Sequence, residues 1–156
     1  DHGRLDKYRH DFLGSNFRLS EMQCAVGRVQ LKHLDEWVTR RNQIAARYNE
    51  AFSSLEWTSP PAIREGALHA WHQYVLRVDN RKSFQAHMDE QGVSTGIHYP
   101  IPCHRQPLYQ SHPQHQEGTL PITEAICASV VSIPVHPHLT DAEVEQVISA
   151  VKSFQT

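Results

Sequence analysis

Between Ser20 and Ser53 the apolar positions recur at three- and four-residue intervals. Cys24, Gly27, Leu31, Leu34 and Val38 form one stripe, which Ile44 and Tyr48 continue. That spacing is the helical period. Ser20 and Gln23 stand at the S-x-x-Q spacing of a capping box, in which each side chain satisfies the other residue's unpaired backbone donor. No proline, and no glycine beyond Gly27, interrupts the run, so the pattern predicts one helix over 21–53, roughly 50 Å long at 1.5 Å per residue. Arg40, Arg41 and Arg47 are expected on its wet side. Met22, Val26, Val29 and Trp37 lie off the stripe, which makes the helix apolar on more than one side.

The pattern changes after Pro60-Pro61, which closes any continuation. His69 to Asp79 alternates with a period of two and predicts a strand with His72, Tyr74, Leu76 and Val78 on one face. Phe84 and Met88, one turn apart, predict a short helix over 81–91, with Gly92 as a left-handed C-cap. A second strand is expected over 93–99, ending at Pro100. Pro100, Pro102, Pro107 and Pro113 then predict a loop without regular elements. A short helix near 121–128 and a strand over 130–133 follow. The last helix is announced by a second capping box, Thr140 and Glu143, and by Val144, Val147, Ile148 and Val151 on its core face. The class is α+β (α/β), organised as a two-layer sandwich with a long N-terminal helix. Residues 1–19 form a polar arm and residues 20–156 one small domain.

Composition narrows the partners. The 156 residues suffice for one domain, and the 39% apolar content is lean enough that part of the surface is expected to sit against something else. Lys+Arg 15 against Asp+Glu 17 leaves no basic field for nucleic acid. No apolar run approaches the roughly 20 residues that cross a bilayer, so no membrane partner is expected. Cys24, Cys103 and Cys127 are odd in number and lack a C-x-x-C pair, which fits reduced thiols in a cytoplasmic protein. His112, His115, His136 and His138 have neither H-E-x-x-H nor C-x-x-C company, and no metal site is expected. Because the chain starts at Asp1 and not at a methionine, it is expected to be part of a longer product.

Chemistry concentrates in two places. Gly14-Ser15-Asn16-Phe17-Arg18 brings an amide and a guanidinium into the capped helix. Taken alone, Asn16 and Arg18 read as loop residues. A planar guanidinium nevertheless suits two-pronged binding of phosphate. His98 and Tyr99 stand at the end of the expected second strand, where a scaffold can hold side chains toward a cleft.

The strings G-x-N-x-R-L-S-E-x-Q and Q-L-x-x-L-D, together with H-Y-P-x-P-x-H-x-Q-P-x-Y over 98–109, resemble the DegT/StrS family of sugar aminotransferases, which use pyridoxal phosphate. The match runs through the closing Leu139-Thr140-Asp141 and the last helix. It corresponds to the final two fifths of such an enzyme, the small domain of a fold-type I aminotransferase. The resemblance implies that the arm crosses a dimer interface. There Asn16 would contact the cofactor phosphate and Arg18 the nucleotide-sugar substrate. His98 and Tyr99 would contact the sugar or diphosphate, while His104 and Gln106 match the motif without an assigned role. A transaminase carries its pyridoxal on a lysine. In the family that lysine lies upstream of the stretch matching Asp1-His2-Gly3-Arg4, and none of Lys7, Lys32, Lys82 and Lys152 occupies its motif. The implied whole is a homodimeric enzyme moving an amino group, typically from glutamate, onto a dTDP- or UDP-linked keto-sugar. The I-H-Y-P-I-P string is most like members that act on 3-keto-6-deoxy sugars. This chain alone is expected to be inactive and to bind no pyridoxal phosphate. The alternative is a stand-alone, non-catalytic module that binds a sugar nucleotide or another subunit.

Overall fold

The computed structural model describes residues 8, 9, 11–110 and 120–155. The expectations for Lys7, for the Asp1-His2-Gly3-Arg4 stretch, and for His112, Pro113 and His115 lie outside the described residues. The chain divides into two compact units between Glu36 and Trp37.

In the first unit, the described residues before Ser20 form no helix or strand. Helix α1, Glu21–Leu31, begins at the expected box: Ser20 Oγ accepts from the Gln23 N–H, and Gln23 Oε1 accepts from the Ser20 N–H at 2.9 Å. The single helix expected over 21–53 is two, because Lys32 and His33 form a turn before α2, Leu34–Phe52. The Lys32 and His33 amides bond back three residues, to Val29 and Gln30, and this tightens the last turn out of the α-helical register. No residue of α1 is buried. The Cys24-Gly27-Leu31 stripe and the off-stripe Met22, Val26 and Val29 are all exposed.

The second unit holds the core. A three-stranded sheet has the order β1-β2-β3, with β1 at Thr58–Ser59, β2 at Tyr74–Val78 and β3 at Val130–Ile133. All its pairings are antiparallel, with Tyr74 opposite Ile133 and Leu76 opposite Val131. Side chains alternate across a strand, so Tyr74, Leu76, Val78, Val131 and Ile133 share the face buried in the core. Against it lie Ile44, Tyr48 and Phe52 of α2, Phe84 and Met88 of α3 (Arg81–Glu90), and the valines of α6 (Asp141–Ser153). Helices on one face of a small sheet give the α+β, two-layer class that the periodicities predicted. The Thr140–Glu143 box and the positive φ of Gly92 are both present.

Three expectations are corrected. The strand expected over 69–79 is confined to Tyr74–Val78, and His72 is exposed. Trp71 adopts a φ of 49°, which breaks the extended run before β2 begins. The second strand expected over 93–99 is a single bridge, Gly96 to Ser132. Beyond it the His98 ring folds back over Gly96, and Pro100 and Pro102 offer no N–H to continue a ladder. The proline loop does contain regular turns, namely a 3₁₀ turn at Cys103–Arg105 and helix α4 at Pro107–Gln110. Helix α5, Pro121–Ser129, then leads into β3.

The arginines of α2 are also less wet than expected. Arg41 Nη1 donates to the carbonyls of Trp71 at 2.7 Å and Val135 at 2.6 Å. Arg40 donates to Leu139 O and to Asp141, and Arg47 donates to Asp141 and Glu145. These contacts tie α2 to the start of α6.

Candidate functional site

The sequence-nominated residues form two pairs, one in each unit. In the first, Asn16 Oδ1 accepts the Arg18 backbone N–H at 3.2 Å. Asparagine side chains commonly close such a local turn onto the backbone two residues on. The bond turns the oxygen of the carboxamide inward along the chain and leaves its NH₂ end as the donor face. Both residues are exposed. Ser20, two residues after Arg18, caps α1, so the arm enters the helix at a fixed point.

The second pair sits beside the sheet. His98 Nδ1 lies 2.9 Å from Ser132 Oγ on β3. The His98 and Tyr99 rings meet edge to face with centroids 5.5 Å apart. Tyr99 is 71% exposed. An imidazole and a phenol held side by side at the surface offer hydrogen-bond donors on aromatic bodies, a combination suited to a polar ligand with a ring or a phosphate.

His104 and Gln106, which matched a motif without a role, have structural partners. His104 Nε2 donates to Glu124 Oε1 at 3.0 Å, and Gln106 Nε2 donates to Ile101 O at 3.3 Å. Glu124 Oε1 also accepts from Arg105 Nη2 at 3.2 Å and from the Leu120 N–H at 3.1 Å. This carboxylate therefore joins the turn after His98-Tyr99 to α5. The His104 bond first, then the Leu120 amide and Arg105, hold its carboxyl below the usual carboxylate range. Sequence reasoning missed Glu124 and Ser132. Glu124 lies 20 residues beyond His104 and Ser132 lies 34 beyond His98, with no shared string to connect either pair.

No cluster of three or more His, Cys, Asp or Glu among the described residues could hold a metal ion. Among the same residues, no helix is long and apolar enough to cross a membrane. The described lysines are exposed: Lys32 in the turn after α1, Lys82 in the first turn of α3, and Lys152 in the last turn of α6.

A small antiparallel sheet backed by helices defines the second unit as an α+β domain, with the His-Tyr pair beside the sheet edge, and the first unit carries the arm that ends in a capped helix. The profile of the DegT/DnrJ/EryC1/StrS aminotransferase family matches residues 1–152, and the chain belongs to that family. It is 38% identical over 153 residues to the erythromycin biosynthesis sensory transduction protein EryC1 of Saccharopolyspora erythraea, covering 98% of this chain and 42% of that protein. It is 36% identical over 154 residues to the dTDP-3-amino-3,4,6-trideoxy-alpha-D-glucose transaminase of Streptomyces venezuelae, covering 99% and 40% respectively. Among solved structures, it resembles S. venezuelae DesV in complex with a ketimine intermediate. The TM-score is 0.86 at 37% identity, covering 97% of this chain and 41% of that one. The chain thus spans about two fifths of the length of these relatives.

Proposed function

We propose that this chain is the C-terminal part of a pyridoxal phosphate-dependent nucleotide-sugar aminotransferase. The complete enzyme moves an amino group, from glutamate, onto a keto-sugar carried by dTDP or UDP. The observation that carries this reading is the 36% identity to a dTDP-sugar transaminase across 99% of the chain, which takes in the arm, the His-Tyr pair and the last helix.

The residues present fit one part of the cofactor's needs. With its oxygen engaged by the Arg18 amide, Asn16 offers its NH₂ group to an acceptor, which suits a cofactor phosphate oxygen. In this reading the chain supplies phosphate and substrate contacts. When bound in the complete enzyme, pyridoxal phosphate supplies the electron sink for the transfer. Arg18 binds an anionic oxygen of the nucleotide-sugar through its forked N–H groups. His98 and Tyr99 orient the sugar or diphosphate by hydrogen bonds. The exposed apolar side chains of α1, with Met22, Val26, Val29 and Leu31 among them, support a homodimer in which each arm serves the neighbouring subunit's site. A near-neutral charge agrees with a small-molecule substrate and not with nucleic acid. The reduced-thiol pattern supports a cytoplasmic setting.

In a complete enzyme carrying this segment, His98→Ala and Tyr99→Phe should raise KM for the nucleotide-sugar and leave the half-reaction with glutamate nearly unchanged. A lost hydrogen bond to a charged phosphate costs about 1.5–3 kcal/mol, on the order of 10- to 150-fold in affinity. Collapse of the glutamate half-reaction alone would refute the assignment.

A further inference from the structure

We propose that Ser132 is the positioning residue for His98. Its buried hydroxyl donates to Nδ1, which places the imidazole proton on Nε2 and turns that nitrogen into a donor for an acceptor oxygen of a bound ligand, the diphosphate type above all. This deepens the proposed function and rests on its reading of His98 as a ligand contact.

The argument begins with the backbone. Ser132 exchanges both main-chain bonds with Gly96: its N–H donates to Gly96 O at 2.7 Å, and its carbonyl accepts from the Gly96 N–H at 3.0 Å. On its other side it stands opposite Val75 of β2. Its Cα is therefore pinned between two neighbours. The alternation of side chains points its hydroxyl to the face opposite Tyr74, Leu76 and Ile133. On that face the residue is only 4% exposed, and its Oγ lies 2.9 Å from His98 Nδ1.

A buried hydroxyl must place its single proton on an acceptor. Among the described residues, His98 Nδ1 is the partner that Ser132 Oγ has. If Nδ1 carried the proton instead, the serine hydroxyl would accept it and its own proton would be stranded in a buried site. The arrangement that satisfies both groups is Oγ–H donating to an unprotonated Nδ1. That fixes the proton on Nε2, as a partner on one imidazole nitrogen commonly fixes the state of the other. Nε2–H is then the donor that the exposed His98 has to offer a ligand.

The ring also needs room to lie there. A Cβ on Gly96 would meet His98 Cε1 at 2.8 Å, closer than side chains tolerate. Gly96 thus serves as the floor under the imidazole, and Ser132 serves as its anchor.

The test is long-range ¹H–¹⁵N NMR of the 156-residue chain under mildly alkaline conditions, with His98 assigned through His98→Gln. The expected spectrum has His98 protonated at Nε2, with Nδ1 shifted by hydrogen bonding. Ser132→Ala should move Nδ1 to the value of a solvated imidazole, and Ser132→Thr, which keeps the hydroxyl, should restore it. Gly96→Ala is an independent route to the same loss, by displacing the ring, should Ser132→Ala fail to fold. A proton on Nδ1 in the wild type, or a His98 signal indifferent to both substitutions, would overturn the positioning. In a complete enzyme, Ser132→Ala should raise KM for the nucleotide-sugar on the order of tenfold without slowing the glutamate half-reaction. A changed His98 spectrum with an unchanged KM would instead overturn the ligand-contact reading and leave the positioning standing.

Discussion

The rings of Tyr48 and Tyr74 meet edge to face in the core, centroids 5.1 Å apart, and each hydroxyl has a partner: Tyr48 donates to Pro134 O at 2.9 Å and Tyr74 to Asn49 Oδ1 at 2.7 Å. Burial pushes both phenols well above the ordinary value of 10.0, with Arg47 opposing the shift at Tyr48 and Tyr48 adding to it at Tyr74. A raised folded value means the native state holds its proton where the unfolded chain releases one. The stability this contributes is complete below 10.0 and is lost as pH rises above it. In an alkaline titration, the tyrosinate absorbance of these two residues should therefore appear with unfolding and not before it. Native-state ionisation of both, with circular dichroism unchanged, would contradict the burial argument.

The opposite end of the pH scale is governed by Asp141. The Arg40 hydrogen bond and charge, followed by Arg47, hold its carboxyl below the ordinary 3.8. A depressed folded value contributes stability above 3.8 that is lost as pH falls through the folded value. Asp141→Asn should flatten the dependence of the urea midpoint on pH in that acid range, and added salt should weaken the wild-type effect because the pair is exposed. An acid slope identical in wild type and variant would remove Asp141 from the account.

The two capping boxes share a design and differ in consequence. Thr140 caps α6, whose Val144, Val147, Ile148, Ala150 and Val151 are buried, whereas Ser20 caps α1, which buries nothing. Thr140→Ala should lower global stability to urea by about 1 kcal/mol. Ser20→Ala should leave that transition within about 0.5 kcal/mol and reduce only the helical signal. Equal losses in the two variants would show that α1 shares the cooperativity of the core.

The sequence made the helices and β3 legible wherever the information was local. Caps, a C-terminal glycine and 3.6-residue spacing are readable within a few residues, and α3, α5, α6 and β3 stand close to where those signals placed them. What stayed hidden depended on distant partners. Thr58–Ser59 becomes a strand because β2 passes beside it, and two residues carry no period. Trp71, whose φ breaks the extended run, has its indole N–H held by Asn42, 29 residues away and outside any local pattern. Residues 93–99 alternate like a strand, yet only Gly96 pairs across to β3 in a bridge, and the chain then turns to lay His98 over it. The nominated site residues were visible as strings, while the serine beneath His98 and the carboxylate beside His104 were not, since tertiary folding alone brings them together.

The turn at Lys32-His33 divides the chain by opening free energy. The eleven residues of α1 fall short of the roughly 12–15 that hold an isolated helix in water, and none is shielded by a core. In the isolated chain its amides are tied to local fraying, with free energies near the bottom of the range, whereas those around Ile44, Tyr48 and Phe52 can open only with the sheet. Hydrogen exchange would therefore slow along α2, between its exposed first turn at Leu34 and the buried Ile44. An α1 that gained slow exchange in a larger assembly would report directly how much of its order is lent by whatever covers it.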